Sequence, residues 1–357
     1  MLTTIQPHIT PLPVIPNSGA DDTEAVSHGL VADLHAPQPW IFWTDLTVSA
    51  VLGWTAFARA VLAQPFSALM WVAAVIAALT LYRGVCFTHE LAHLRRQALP
   101  GFETAWNILF GVPLLLPSFT YLGVHQNHHS LSTYGTKEDP EYLPFASSRR
   151  LMIFFAIQST VLMPIALVVR FLLLAPIGLA WPPLHRWLEV HASSFSMNPE
   201  YRRAVGADIA TKMRRWEMAT LAFWAAAFAM MYAGTLPFDA FGIWLGILTT
   251  ISLLNTLRVL GAHEYDSEGA ILSRDGQLSD SIDTPGGPWT ELWAPVGLRY
   301  HALHHYFPGI PYHNLGIAYR RIVASLPPRA AYLESTSPGL RQSLGVLYDK
   351  AARAARG

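Results

Sequence analysis

Long apolar runs alternate with polar segments along the chain, and their lengths sort them into two classes. A helix that crosses a bilayer needs about 20 mainly apolar residues. Residues 41–63 and 66–88 supply two such runs, separated at Gln64-Pro65. Residues 217–235 and 238–260 supply two more, and the turn between them reads Gly234-Thr235-Leu236-Pro237, where proline cannot continue the first helix. The pattern predicts an all-α integral membrane fold with four transmembrane helices in two hairpins.

Two further apolar runs are of a different kind. Trp106 to Leu122 contains Pro113 and Pro117 and is too short to cross and return, so it is expected to be re-entrant or interfacial and packed against protein. Residues 151–181 could cross once, but Pro164, Arg170 and Pro176 interrupt them. Basic residues mark the cytoplasmic side. Arg95, Arg96, Lys137, Arg149 and Arg150 precede residues 151–181, and Arg202, Arg203, Lys212, Arg214 and Arg215 follow them. With both groups cytoplasmic, 151–181 must cross an even number of times, as a short re-entrant hairpin or not at all. Residues 182–216 read as a polar cap with amphipathic helices. The expected organisation is a flexible cytoplasmic tail over 1–40, a membrane domain over 41–325 and a C-terminal cytoplasmic tail over 326–357. The first forty residues carry Pro7, Pro11, Pro13 and Pro16, then Asp21, Asp22 and Glu24, without a basic n-region or apolar h-region, which argues against a signal peptide.

Composition agrees with lipid embedding: 52% of residues are hydrophobic and 13% charged. Lys plus Arg and Asp plus Glu both number 24, which points to neither nucleic acid nor a strongly anionic partner. A single cysteine, Cys86, excludes an intramolecular disulfide and any cysteine-based metal site. Metal must therefore be held by histidine or carboxylate.

Histidine is the outlier, at fifteen copies. His89 and His93, in THELAHL, stand four apart at the end of the second run, so one helical face carries both imidazoles. His125, His128 and His129, in GVHQNHHS, repeat at i, i+3 and i+4, and so do His301, His304 and His305, in YHALHHYF. Chance placement of fifteen histidines does not produce two such triples. Ionisable groups at a membrane boundary are costly and usually functional. His263, just beyond the last run, emerges on the same side as a ninth candidate. Nine imidazoles exceed the four or so that one ion takes, so the natural division is two ions with four or five nitrogens each. Imidazole suits iron, zinc and copper alike, and the residues do not choose among them. His8, His28, His35, His185, His191 and His313 read as ordinary polar residues.

His89-Glu90-Leu91-Ala92-His93 also satisfies HExxH, in which glutamate is general base to a zinc-bound water. A membrane metalloprotease of that kind needs a distant third ligand, for which Asp275-Gly276 is the candidate, but it leaves both triples unexplained. A divalent-metal transporter would place ligands at the midplane on broken helices, whereas these clusters sit at or beyond helix ends.

The three clusters, their order and their position relative to two hairpins resemble the membrane fatty acid desaturase superfamily, which includes hydroxylases and related oxidases. The likeness covers roughly residues 41–325. NHHSLSTYGTKEDPEYLPF and ELWAPVGLRYHALHHYFPGIPYHNLG look like its bacterial acyl-lipid branch. The resemblance implies that His89, His93, His125, His128, His129, His301, His304 and His305 are iron ligands, with His263 in the extra ligand position. It also implies two non-haem irons that use O2 to oxidise a fatty-acyl chain, desaturation being the commonest outcome. Hydroxylation, or decarboxylation of a free fatty acid to a terminal alkene, would use the same ligands. Glu90, Asp139 and Glu264 are expected to orient ligands, and Phe87, Trp106, Phe110 and Leu257 to line an acyl tunnel. Acyl-CoA desaturases carry a water-holding asparagine one turn before the extra histidine, where this chain has Val259, and Asn255 is two turns away. Neither tail has a cytochrome b5 heme motif, so electrons are expected from a ferredoxin, rubredoxin or cytochrome-type donor with its reductase. The substrate could be a free acid, acyl-CoA, acyl carrier protein conjugate or lipid. Arg258, Lys137 or Arg299 could anchor an anionic head group, but each reads more readily as a positive-inside residue meeting lipid phosphate. The active site is expected on the cytoplasmic face, of the inner membrane if the source is bacterial.

Overall fold

The computed structural model describes residues 28–95, 97–327 and 330–355, and it is all-helical, with only isolated β-bridges among the described residues. The first hairpin is α1 (Pro39–Leu62) and α2 (Ala68–His93). Pro65 ends the first helix, and the Ser67 hydroxyl caps the second by accepting from the Met70 N–H. The two pack closely because Gly53 has no side chain: a Cβ there would lie 2.5 Å from Leu81. Arg83 of α2 donates to Asp45 of α1 at 2.7 Å.

Four helices are long and apolar enough to cross a membrane: α1, α2, α3 (Arg149–Ala180) and α5 (Asp239–Leu260). The number matches the sequence pattern, but the membership differs. Helix α4 (Ala207–Tyr232), counted as a crossing from residues 217–235, falls short because Lys212, Arg214, Arg215 and Glu217 occupy its first half. It still forms the expected hairpin with α5, sealed near the turn by Trp224 against Trp244, ring centroids 4.5 Å apart.

Helix α3 is continuous and does not turn back, so the re-entrant hairpin is corrected. π turns at Gln158–Leu162 and Val169–Leu174 widen the helix around the carbonyls that Pro164 and Pro176 would otherwise strike. Its contacts place it across helix ends. Gln158, Ser159 and Met163 share a cavity with Ser252, Asn255 and Val259 in the last turns of α5. Arg170, further along, pairs with Glu217 in the first half of α4. Both contacts fall in the histidine-facing halves of α5 and α4.

Residues 102–122 fold back on themselves as expected. A short helix (Phe102–Trp106) passes into a π turn (Asn107–Gly111), and the chain returns to a 3-10 turn at Ser118–Thr120. Buried Asn107 ties the two arms, donating to the Ser118 hydroxyl and accepting the Ser118 N–H, both at 2.8 Å. Broken backbone at this depth must find donors inside the protein. Three tryptophans from three helices supply them: Trp54 of α1 to the Leu109 carbonyl at 2.8 Å, Trp224 of α4 to Val112 at 3.3 Å and Trp244 of α5 to Pro113 at 3.0 Å. Trp244→Phe keeps the ring but strands a buried carbonyl, at a cost of about 1–3 kcal/mol. The thermal midpoint of the solubilised protein is expected to fall accordingly, and an unchanged midpoint would mean that water reaches this carbonyl.

The packed unit extends beyond 41–325 at both ends. Leu30, Val31 and Leu34, within the stretch expected to be a mobile tail, are buried against Phe307, Leu315 and Ile322. Residues 1–27 lie outside the described residues. Beyond residue 325, the helix Leu340–Ala354 buries Leu347 in a cluster with Phe145 and Leu260.

Candidate metal centre

All nine candidate histidines converge. His89, His93, His125, His129 and His304 form one group and His128, His263, His301 and His305 a second, and within each group one ligand atom per residue lies within 4.8 Å of all the others. Helix geometry explains the split. At 100° per residue, i+4 falls 40° to one side of i and i+3 falls 60° to the other. The pairs His89/His93, His125/His129 and His301/His305, each four apart, share a group, whereas His128 and His304, at i+3, cross to the other. The i, i+3, i+4 pattern, expected to share one face, therefore contributes to both groups.

The scaffold fixes each cluster differently. The first pair ends α2, the second occupies a single helical turn (His125–His128), and the third opens the short helix His301–Tyr306. Buried Asp283 pins that last helix by accepting the Leu303 N–H at 3.1 Å, near the helix N-terminus where a carboxylate is favoured. His263 follows α5 directly, and its strand-like pairing with Ser281 brings Asp280 alongside.

Carboxylates and phenols hold the outward nitrogens. His128 Nδ1 faces both oxygens of Asp139 at 3.0 Å. His125 Nδ1 meets Glu141 at 2.8 Å, and His263 Nδ1 meets the Tyr134 hydroxyl at 2.9 Å, which in turn donates to Asp280 at 2.8 Å. Glu141, Asp280 and Tyr134 were missed because they follow no helical spacing. Glu90 accepts the Tyr312 N–H at 3.0 Å and stands 3.9 Å from His89 Nδ1. Glu264 is corrected: its carboxylate pairs with Lys350 at 2.6 Å rather than orienting His263.

The donors suit a pair of cations. Nitrogens meet at 3.0 Å between His93 and His304, 3.0 Å between His125 and His129, and 2.9 Å between His263 and His301. Two imidazoles on one ion, each at about 2.1 Å, stand roughly 3 Å apart at a right angle. Neither ring nitrogen of buried His89 has a hydrogen-bond partner. Burial holds His125, His129, His263, His301, His304 and His305 well below the usual histidine range, in the neutral form that ligates. At His128 burial acts in the same direction, but the Asp139 carboxylate outweighs it and raises the group. That carboxylate fixes the proton on Nδ1 and leaves Nε2 to face its cluster. When ionised, Glu90, Asp139, Glu141 and Asp280 carry four negative charges, which two divalent ions balance.

Asp139→Asn is expected to cut metal retention and activity about 10–100-fold. Metal content after dialysis against a chelator checks it, the expected result being loss of about one metal ion per chain.

A cavity enclosing about 1150 Å³ of empty space, its mouth included, opens beside His89. Of the four residues expected to line an acyl tunnel, Trp106 lines this cavity. Phe87, Phe110 and Leu257 do not: Phe87 packs among Phe42, Phe102 and Tyr312, Phe110 fills the space above Gly84, and Leu257 lies outside the lining. Of the remaining histidines, His28, His35, His185, His191 and His313 stay outside both groups, and His8 lies outside the described residues. Asp275, the third ligand a HExxH protease would need, is exposed on the helix Arg274–Asp280 and joins neither group.

The fatty acid desaturase family matches residues 65–336. A ceramide hydroxylase of Caulobacter vibrioides (strain NA1000 / CB15N) is 37% identical over 323 residues, which span 89% of this chain and 91% of that protein. With the family match and the buried two-group histidine centre together, the chain belongs to the fatty acid desaturase family and is a membrane-bound diiron oxidoreductase.

Proposed function

We propose that this chain hydroxylates an acyl-bearing membrane lipid of the ceramide class. The observation that carries this reading is identity to a ceramide hydroxylase over nearly the whole of both chains. The ligand set serves desaturation equally well, and the full-length likeness to a hydroxylase is what supports hydroxylation.

The five-histidine and four-histidine groups would each hold one iron, and the bound pair would supply the O2-dependent oxidation of an unactivated C–H bond. In the overall reaction one C–H becomes C–OH and the second oxygen leaves as water, with two electrons from an external donor and two protons. The chain's own part is positional. Trp106, Leu116, Met163 and Phe195 give the cavity an apolar wall for the chain, and Asp139, Glu141 and Tyr134 hold the imidazoles in register. The basic residues Arg95, Lys137, Arg149 and Arg202 lie on segments joined to the histidine cap, which supports a cytoplasmic centre. A ferredoxin, rubredoxin or cytochrome-type carrier would meet it there.

The test is to supply the iron-loaded full chain with a reducing system, an N-acyl sphingoid lipid and heavy-isotope dioxygen. One labelled oxygen in the lipid is expected by mass spectrometry. A product that has lost two hydrogens and gained no oxygen overturns hydroxylation.

A further inference from the structure

Arg258 was expected to meet lipid phosphate at the surface. Lys137 is indeed exposed, and Arg299 bonds the Gly286 carbonyl and Glu291. Arg258 is instead 9% exposed and lines the cavity beside His89. One guanidinium nitrogen donates to the Asn255 side-chain carbonyl at 3.0 Å, and Nε has no partner. A buried guanidinium with an unused donor is costly unless an acceptor arrives. The guanidinium as a whole lines the cavity, although Nε itself has no exposed surface, so an acceptor there meets the Arg258 side chain.

The rest of the lining indicates what kind of acceptor. Glu141 shares the cavity, and its oxygens already take His125 Nδ1 and the Tyr121 hydroxyl. A carboxylate or phosphate drawn to Arg258 would be brought toward Glu141. A neutral amide avoids that conflict, because its carbonyl accepts from Arg258 while its N–H and neighbouring hydroxyls can donate to Glu141, Gln158 or Ser159, which line the same space.

We propose that Arg258, held by Asn255, is the positioning residue that binds the amide carbonyl of an N-acyl lipid and sets which carbon is oxidised. This rests on the reading of the substrate as a ceramide-class lipid. Because Arg258 and His89 line one cavity, the polar end of the substrate lies beside the histidine centre. The oxidised carbon is then near the amide rather than deep in the acyl chain.

The test uses the full chain and two lipid probes: a short-chain ceramide, and its analogue with a methylene in place of the amide carbonyl. The ceramide is expected to raise the thermal midpoint of the wild-type protein, and the analogue to raise it much less. In Arg258→Met, iron content is expected to stay at the wild-type level. The KM for the ceramide is expected to rise roughly tenfold or more, and oxidation to spread over neighbouring carbons. Equal stabilisation by both probes, or an Arg258→Met enzyme with unchanged KM and a single product position, overturns the clamp. So does a free fatty acid that stabilises as well as the ceramide. If Arg258→Met does not fold, the two probes on wild-type protein decide. A desaturated wild-type product overturns the reaction assignment, and carbonyl dependence still tests the clamp by itself.

Discussion

His304→Ala protein is expected to fold, keep at most one iron per chain and lose activity by more than about 100-fold. His304 belongs to the five-histidine group although its neighbours His301 and His305 belong to the other, so its loss weakens a single ion site. The magnitude has a floor, because removing only a hydrogen-bond partner of a ligand already costs about 10–100-fold. His128→Ala should do the same to the four-histidine group. Elemental analysis beside turnover measurement checks both variants, and an active protein with two irons would exclude these residues as ligands.

The second large effect concerns stability. Arg170 of α3 pairs with Glu217 of α4, and both are buried, at 6% and 3% exposure. Arg170 also donates to the Ala192 carbonyl at 2.7 Å, and His185 stands 3.4 Å from the far oxygen of Glu217. Arg170→Met leaves a buried carboxylate without its main partner, which costs about 3–5 kcal/mol. Replacing both, as Arg170→Met with Glu217→Leu, is expected to restore most of the loss, since two apolar groups need no partner. Unfolding of the two variants in the same detergent checks this, and a double variant no more stable than the single one would show that the pair is not the cause.

Some of this was legible in the chain and some was not, for identifiable reasons. The histidines could be found because metal ligation on helices uses a local spacing that sequence preserves. Their partition was also written there, in the difference between i+3 and i+4, but reading it requires the helical angle rather than the count. Glu141 and Asp280 carried no such mark. They reach His125 and His263 through a loop and through the His263–Ser281 pairing, which bring together residues that no period relates. Hydropathy alone did not decide the role of α3, because an apolar helix lying over a bundle and one spanning it have the same composition. Arg258 was misplaced because a basic residue at the end of an apolar run ordinarily snorkels outward, and only the cavity shows that this one turns in.

The tryptophans that satisfy the broken backbone at residues 109–113 impose an order on biogenesis. Trp54 is made before this segment, but Trp224 and Trp244 follow their acceptor carbonyls by 112 and 131 residues. Until α5 leaves the ribosome and inserts, the Pro113 carbonyl has only water to bond, whereas Val112 already accepts the Leu115 N–H within the loop, and this keeps the nascent loop at the headgroup level. Its burial therefore waits for the last helical pair, and a chain truncated before residue 224 would retain an unseated loop open to protease.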